Sequence, residues 1–202
     1  MIKHPIPKKT YVKTNSTSNR GMTFEADIEI TNNYYLETNR AVIYKKPTPV
    51  QVVNVSYPAR NKAKIVEAYY KTPSTTDFNG IYNGYYIDFD CKETKSKTSI
   101  PLKNIHPHQI RHLKQITNQK GIGFLIVYFT SYNEYYYLPF HVLHRFYEDS
   151  LKGGRQSIPY ETFKKEGFLI PFSFNPRIDY LTVIDKYIIP NLWTHFNLSS
   201  VS

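Results

Sequence analysis

The period of the apolar positions changes several times along the chain, and each change marks an element. In "GMTFEADIEITNNYYLE", Met22, Ile28 and Tyr35 stand among acids and Phe24, Ile28 and Ile30 recur at roughly helical intervals, which predicts a first helix ending between Asn33 and Asn39. "AVIYKK" reads as a short strand. The proline-bounded "PTPVQVVNVSYPARNKAKIVEAYYKTPS" predicts a β-branched strand followed by a short basic helix. In "HPHQIRHLKQITNQKG", Pro107 suits a first helical turn, Ile110, Leu113 and Ile116 form one stripe, and Gly121 follows the end. "FLIVYFTS" reads as a buried strand and "NEYYYLPF" as another, followed by a helix through "HVLHRFYEDSL" that stops at Gly153-Gly154. "IDYLTVIDKYIIPNLW" is expected to be helical up to Pro190. No internal repeat occurs. Interleaved strands and helices indicate an α/β or α+β class with a mixed sheet.

Between these segments, "STTDFNGIYNGYYIDFDCKET" holds two Asn-Gly pairs, each able to form a type I′ turn. Asn83-Gly84 is preferred, because Ile81/Tyr82 and Tyr85/Tyr86 flank it and the downstream strand alternates cleanly. With that turn, Asp77 opposes Asp90 and Thr75 opposes Lys92; a turn at Asn79-Gly80 would separate the two aspartates. Alternation places Asp88, Asp90 and Lys92 on one face and Phe89, Cys91 and Glu93 on the other. Asp88 faces Asn79, nearer the turn.

Composition narrows the setting. The 202 residues suffice for one domain with its own core, and 41% hydrophobic and 16% aromatic content exclude global disorder. A single cysteine, Cys91, permits no internal disulfide, the N-terminus lacks a signal-peptide core, and "FLIVYF" is too short to span a bilayer, so no membrane association and a cytoplasmic location are expected. The net charge of +10 is uneven: residues 1–120 hold 19 Lys/Arg against 9 Asp/Glu, and residues 121–202 hold 7 against 7. Residues 1–18 read as a flexible basic tail. The basic field suits a polyanion, nucleic acid or an acidic membrane surface, although AT-rich coding also yields abundant Lys, Asn, Ile and Tyr.

The facing carboxylates change the picture most. Opposed aspartates repel unless something positive neutralises them. Two carboxylates about 4.5–5.5 Å apart at Cβ can share a hard cation such as Mg²⁺. Lys92, roughly 6.6–6.8 Å along the strand from Asp90, can reach a bound water or a phosphate oxygen. Phosphodiester hydrolysis asks for those parts: an activated water, a Lewis acid, and positive charge where negative charge grows. Gln109, in the first turn of the next helix, could add a neutral oxygen ligand or contact a metal-bound water. Glu25 reads equally as a residue touching metal-bound water or as a solvated helix glutamate. His106, His108 and His112 lack a zinc frame and read as surface or phosphate contacts. Cys91 reads as a small core residue, and Tyr135–Tyr137 as strand packing.

"NRGMTFEADI", "KTPSTTDFNGIYNGYYIDFDCKETKSKTSIPLKNIHPHQI" and "GIGFLIVYF" resemble the RecU family of Holliday junction resolvases, within the PD-(D/E)xK or restriction-endonuclease-like superfamily. A bare D…DxK match is weak; the long block from Thr72 to Ile110, in order and spacing, is specific. The resemblance spans roughly residues 19 to 195. It implies an α/β restriction-endonuclease-like core with a mixed sheet flanked by helices, a nuclease domain over residues 19–198, and a protruding stalk at about residues 46–73. It implies Mg²⁺ ligands at Thr75, Asp77, Asp90 and Gln109, with Mn²⁺ able to substitute, and a transition-state lysine at Lys92. Arg60, Lys62, Lys64 and Lys71 become the DNA-contact candidates of the stalk. It further implies a homodimer that resolves four-way junctions by paired nicks with ligatable ends, in recombinational repair and chromosome segregation, alongside recombinase and branch-migration proteins. The family usually has glutamate where this chain has Asp90, which bears on metal geometry and preference. The rival expectations are a non-catalytic junction-binding modulator of recombination and a related nuclease acting on ordinary duplex DNA.

Overall fold

The computed structural model describes residues 20–59, 62–71 and 75–192. Its centre is a six-stranded sheet in the order β1-β4-β5-β7-β8-β10. The strands are β1 (Val42–Lys45), β4 (Phe78–Tyr82), β5 (Tyr85–Thr94), β7 (Ile122–Phe129), β8 (Glu134–Pro139) and β10 (Phe168–Ile170). Only β5 and β7 run parallel; the other neighbours are antiparallel. Helices α1 (Arg20–Glu37), α2 (Pro107–Asn118), α3 (Phe140–Leu151) and α4 (Tyr160–Glu166) pack around this mixed sheet, so the α/β class holds.

Strand β7 shows why the sheet is sandwiched. Ile122, Phe124 and Ile126 enter one core with Phe24, Ile28 and Phe89, while Leu125, Val127 and Phe129 enter a second core with Ile110, Leu113 and Leu143. A strand buried on both faces has no polar alternate positions, as "IGFLIVYF" displays. On β5 the period-two pattern is asymmetric. Ile87, Phe89 and Cys91 belong to the α1-side core, whereas Asp88 and Asp90 are fully buried on the other face. Buried charge on that face has to be paired or functional.

The β4–β5 register is the one expected from an Asn83-Gly84 turn: Phe78 opposes Phe89, Asn79 opposes Asp88 and Tyr82 opposes Tyr85. Asn83 at φ 48° and Gly84 at φ 81° supply the two positive φ values of a type I′ turn. Gly80 faces Ile43 on edge strand β1, where a Cβ would lie 2.0 Å from Val42 O.

Three expectations need correction. The segment expected to hold a basic helix is instead a second strand: β2 (Val50–Ala59) and β3 (Lys62–Tyr70) form a separate antiparallel hairpin. Its Val, Ile and Tyr residues favour strand, and pairing along the whole hairpin overrides the helical propensity of Lys and Ala. The C-terminal helix does not stop at Pro190. After α5 (Tyr180–Val183), a π-helical turn over Ile184–Ile188 lets Ile189 N bond Ile184 O, and α6 (Ile189–Leu192) follows with Pro190 inside it. Residues 155–177 show no element in their sequence pattern, yet β9 (Ser157–Pro159) pairs with β6 (Ser99–Pro101), and α4 and β10 complete the sheet edge. The expected N-terminal tail, Arg60 and the end of the expected nuclease domain lie outside the described residues. Among the described residues, no helix is long and apolar enough to cross a membrane.

Candidate active site

Strand β5 presents Asp90 and Lys92 toward α2, and the chain entering β4 brings Asp77 beside them. The ladder ends at Phe78–Phe89. One residue further out, Asp77 Oδ2 accepts a hydrogen bond from Cys91 N at 3.1 Å, so its carboxylate is turned toward β5. Thr75 is half-buried and its hydroxyl reaches only the neighbouring Thr76 carbonyl, at 3.4 Å.

Helix α2 delivers Gln109 through its own cap. Pro107 occupies the first turn and Gln109 is the third helical residue. Its Oε1 accepts from His106 N at 3.1 Å and its Nε2 donates to Asp90 Oδ1 at 2.7 Å. One amide therefore closes the helix end and fixes the Asp90 carboxylate of β5.

The other oxygen of Asp90 is the anomaly. Lys92 Nζ lies 2.5 Å from Asp90 Oδ2 as an ion pair, but off the alignment a hydrogen bond needs, and Oδ2 is buried with no hydrogen-bond donor. Burial pushes the Asp90 carboxyl well above the usual carboxylate range; Lys92 opposes the rise and the nearby Asp77 carboxylate adds to it. Burial also pulls the Lys92 ammonium down, yet the Asp90 and Asp77 carboxylates together outweigh this and raise it. Two neighbouring carboxylates, Asp77 and Asp90, thus share one ammonium, Lys92. Two carboxylates make a hard donor pair that suits Mg²⁺ or Mn²⁺, and a cation there would offset the excess negative charge, whereas the Gln109 amide turns its nitrogen, not the expected oxygen, toward Asp90.

Other predicted residues fall elsewhere. Glu25 sits on α1, whose core residues pack with the Cys91 face of β5, and it pairs with Lys45 at 3.0 Å. Lys62 and Lys64 are exposed on β3, and Lys71 is exposed just after it. Among the described residues no cluster of three or more His, Cys, Asp and Glu forms, so the three histidines do not converge. His106 and His108 stack at 5.3 Å, whereas His112 turns inward to Asp88, against the expectation of a surface or phosphate contact. Cys91 and Tyr135–Tyr137 are buried.

Sequence reasoning passed over Asp88. It is 0% exposed, and Lys46, His112 and Tyr86 meet its Oδ2 at 2.7, 2.9 and 3.1 Å while Thr76 donates to Oδ1. Two signals pointed there: Asp88 shares its face with Asp90, and His112 lies one helical turn after Gln109.

Comparison with known proteins places this chain in a family. The model of RecU, described as Recombination protein U, matches residues 19–186. Holliday junction resolvase RecU of Staphylococcus epidermidis is 54% identical over 170 residues, covering 84% of this chain and 82% of that protein. The protein of the same name from Oceanobacillus iheyensis is 55% identical over 169 residues, covering 84% and 86%. That of Staphylococcus aureus is 52% identical over 186 residues, covering 90% and 88%. The solved structure of Archaeoglobus fulgidus Hjc, a Holliday junction resolvase, aligns with TM-score 0.43 and 10% identity over 73% of this chain and 94% of its own, a likeness too slight to carry an argument.

Proposed function

Because the chain belongs to the RecU family, we propose that it is a Holliday junction resolvase, an endonuclease that hydrolyses phosphodiester bonds of four-way DNA junctions, with Asp77, Asp90 and Lys92 as its catalytic residues. The observation that supports the site assignment is the meeting of two carboxylates, Asp77 and buried Asp90, with the single ammonium of Lys92.

In this reading Asp77 and Asp90 hold a divalent cation, Mg²⁺ or Mn²⁺, with the Thr75 hydroxyl as a neutral oxygen. When bound, that ion supplies a Lewis acid for the phosphate oxygens and lowers the pKa of a coordinated water. Gln109 fixes Asp90 through Oδ1, and becomes a ligand itself only by giving up its bond to His106 N. Lys92 stays protonated against Asp90 and places positive charge where the phosphate gains negative charge. The aspartate at position 90, one methylene shorter than the glutamate usual in the family, is met directly by Gln109 and Lys92.

The β2–β3 hairpin is the counterpart of the family's stalk. Nearly every residue on both its faces is exposed, and Lys62 and Lys64 alternate along one side of β3. We assign Lys62, Lys64 and Lys71, with Arg60, to phosphate contacts at the junction, made by two copies of the chain acting as a dimer that nicks opposed strands. Such contacts release counterions, so junction affinity falls steeply with salt. The biological setting that fits is recombinational repair and chromosome segregation in the cytoplasm.

The test compares a labelled four-way junction with a linear duplex of the same arm sequence, with and without Mg²⁺ or Mn²⁺. Symmetric metal-dependent nicks in the junction alone are expected. Equal cutting of the duplex would indicate a general nuclease. Tight binding without cleavage in either metal would indicate a non-catalytic junction-binding protein.

A further inference from the structure

Asp88 takes no part in the chemistry above, yet it ties together the pieces that do. Asp77 lies beyond the last β4–β5 pair, and Cys91 N anchors its carboxylate. Lys46 also holds Asp77: its backbone N donates to Asp77 O at 2.8 Å, and its Nζ donates to Thr76 Oγ1 at 2.9 Å and to Asp88 Oδ2 at 2.7 Å. The buried Thr76 hydroxyl donates in turn to Asp88 Oδ1. On its other side Asp88 Oδ2 meets His112 Nε2 at 2.9 Å. His112 follows Gln109 by three residues and so shares its helix face, and Gln109 holds Asp90.

One buried carboxylate therefore links the loop that carries Asp77, the helix that carries Gln109 and the strand that carries Asp90. Metal and catalytic sites require their side chains within about 0.5 Å of the productive geometry, set by the groups behind them. We propose that Asp88, with Lys46, Thr76 and His112, forms a positioning knot that sets Asp77 and Gln109 against Asp90 and so determines the divalent-metal affinity of the site. None of the four touches the metal. The inference rests on the reading of Asp77 and Asp90 as metal ligands.

Thr76→Val removes the hydroxyl with little change of shape, and Thr76→Ser retains it. Mn²⁺ binding to the full chain is measured by calorimetry, alongside thermal unfolding and junction affinity in EDTA. Thr76→Val is expected to weaken Mn²⁺ binding by about 10-fold or more, the scale of losses when supporting hydrogen bonds behind a metal site are removed, while Thr76→Ser stays within about twofold of the parent. Junction affinity in EDTA should not change. His112→Leu, at a half-buried position, cuts the knot from the α2 side and should weaken Mn²⁺ binding by about 3–10-fold. Parent-like Mn²⁺ affinity in folded Thr76→Val would overturn the proposal; if that variant shows no cooperative unfolding, parent-like affinity in His112→Leu does so. Asp77→Ala separates the two claims: if it still binds Mn²⁺ normally, the ligand assignment fails rather than the knot.

Discussion

Asp88 and Asp90 stand two residues apart on β5, face the same way and are both 0% exposed, yet their surroundings are opposite. Asp88 is met by an ammonium, an imidazole and two hydroxyls, which use both of its oxygens. Asp90 has one amide donor, an unaligned lysine and a neighbouring carboxylate, and one of its oxygens lacks a hydrogen bond. A buried charge with its partners in place holds structure together; a buried carboxylate that shares its one ammonium with a second carboxylate leaves negative charge that a cation can meet. Their separation of function is a matter of environment rather than residue type.

That contrast predicts different failures for the two positions. The largest effect is on chemistry. Lys92→Ala and Asp77→Ala should each lower junction cleavage by about 10²–10³-fold or more, measured in single turnover, while junction binding in EDTA persists. Retained cleavage in both variants would remove the site assignment.

Stability separates the two aspartates next. Asp88→Ala leaves Lys46 without its buried counter-charge and should cost roughly 3–5 kcal/mol in denaturant unfolding. Asp90→Asn removes a charge disfavoured by burial and leaves Lys92 the neighbouring Asp77 carboxylate, so it should cost the metal-free protein less than Asp88→Ala does. Equal destabilisation by both changes would erase the distinction.

Mn²⁺ sharpens the comparison from the other side. At about 100 times its dissociation constant it should stabilise the parent by about 2.7 kcal/mol, stabilise Asp90→Asn much less, and still raise the unfolding temperature of a folded Asp88→Asn, though at higher concentration.

The smallest effect is on pH. The folded-state pKa of Asp90 lies above its unfolded value, so the native metal-free protein binds the extra proton. Its contribution to stability is greatest at low pH and declines as pH rises from the ordinary carboxylate range through the folded pKa, with a limiting slope of about 1.4 kcal/mol per pH unit. Asp90→Asn should flatten that part of the profile in EDTA.

The aspartates were legible to different degrees because they depend on contacts of different range. Asn83-Gly84 set the hairpin register locally, and with it the faces of Asp88, Asp90 and Lys92 and the placement of Asp77 near Asp90. Pro107 and Gln109 announced the start of α2 in the same local way. The partners of Asp88 come from Lys46, Thr76 and His112, which are 42, 12 and 24 residues distant, and no periodicity reports such a convergence. The β2–β3 hairpin was misread for another reason. With almost all of both strands exposed, no buried face imposes the alternation by which a strand is recognised. The elements after Gly154 are short, and three-residue strands such as β9 and β10 carry too few positions to show a period.

The most direct test of the difference between the two carboxylates is the location of bound Mn²⁺ by anomalous diffraction from crystals grown with that ion. Anomalous density between the carboxylates of Asp77 and Asp90, with none at Asp88, is the predicted result. Density at Asp88, or none beside Asp90 under conditions in which the protein cleaves junctions, would contradict it.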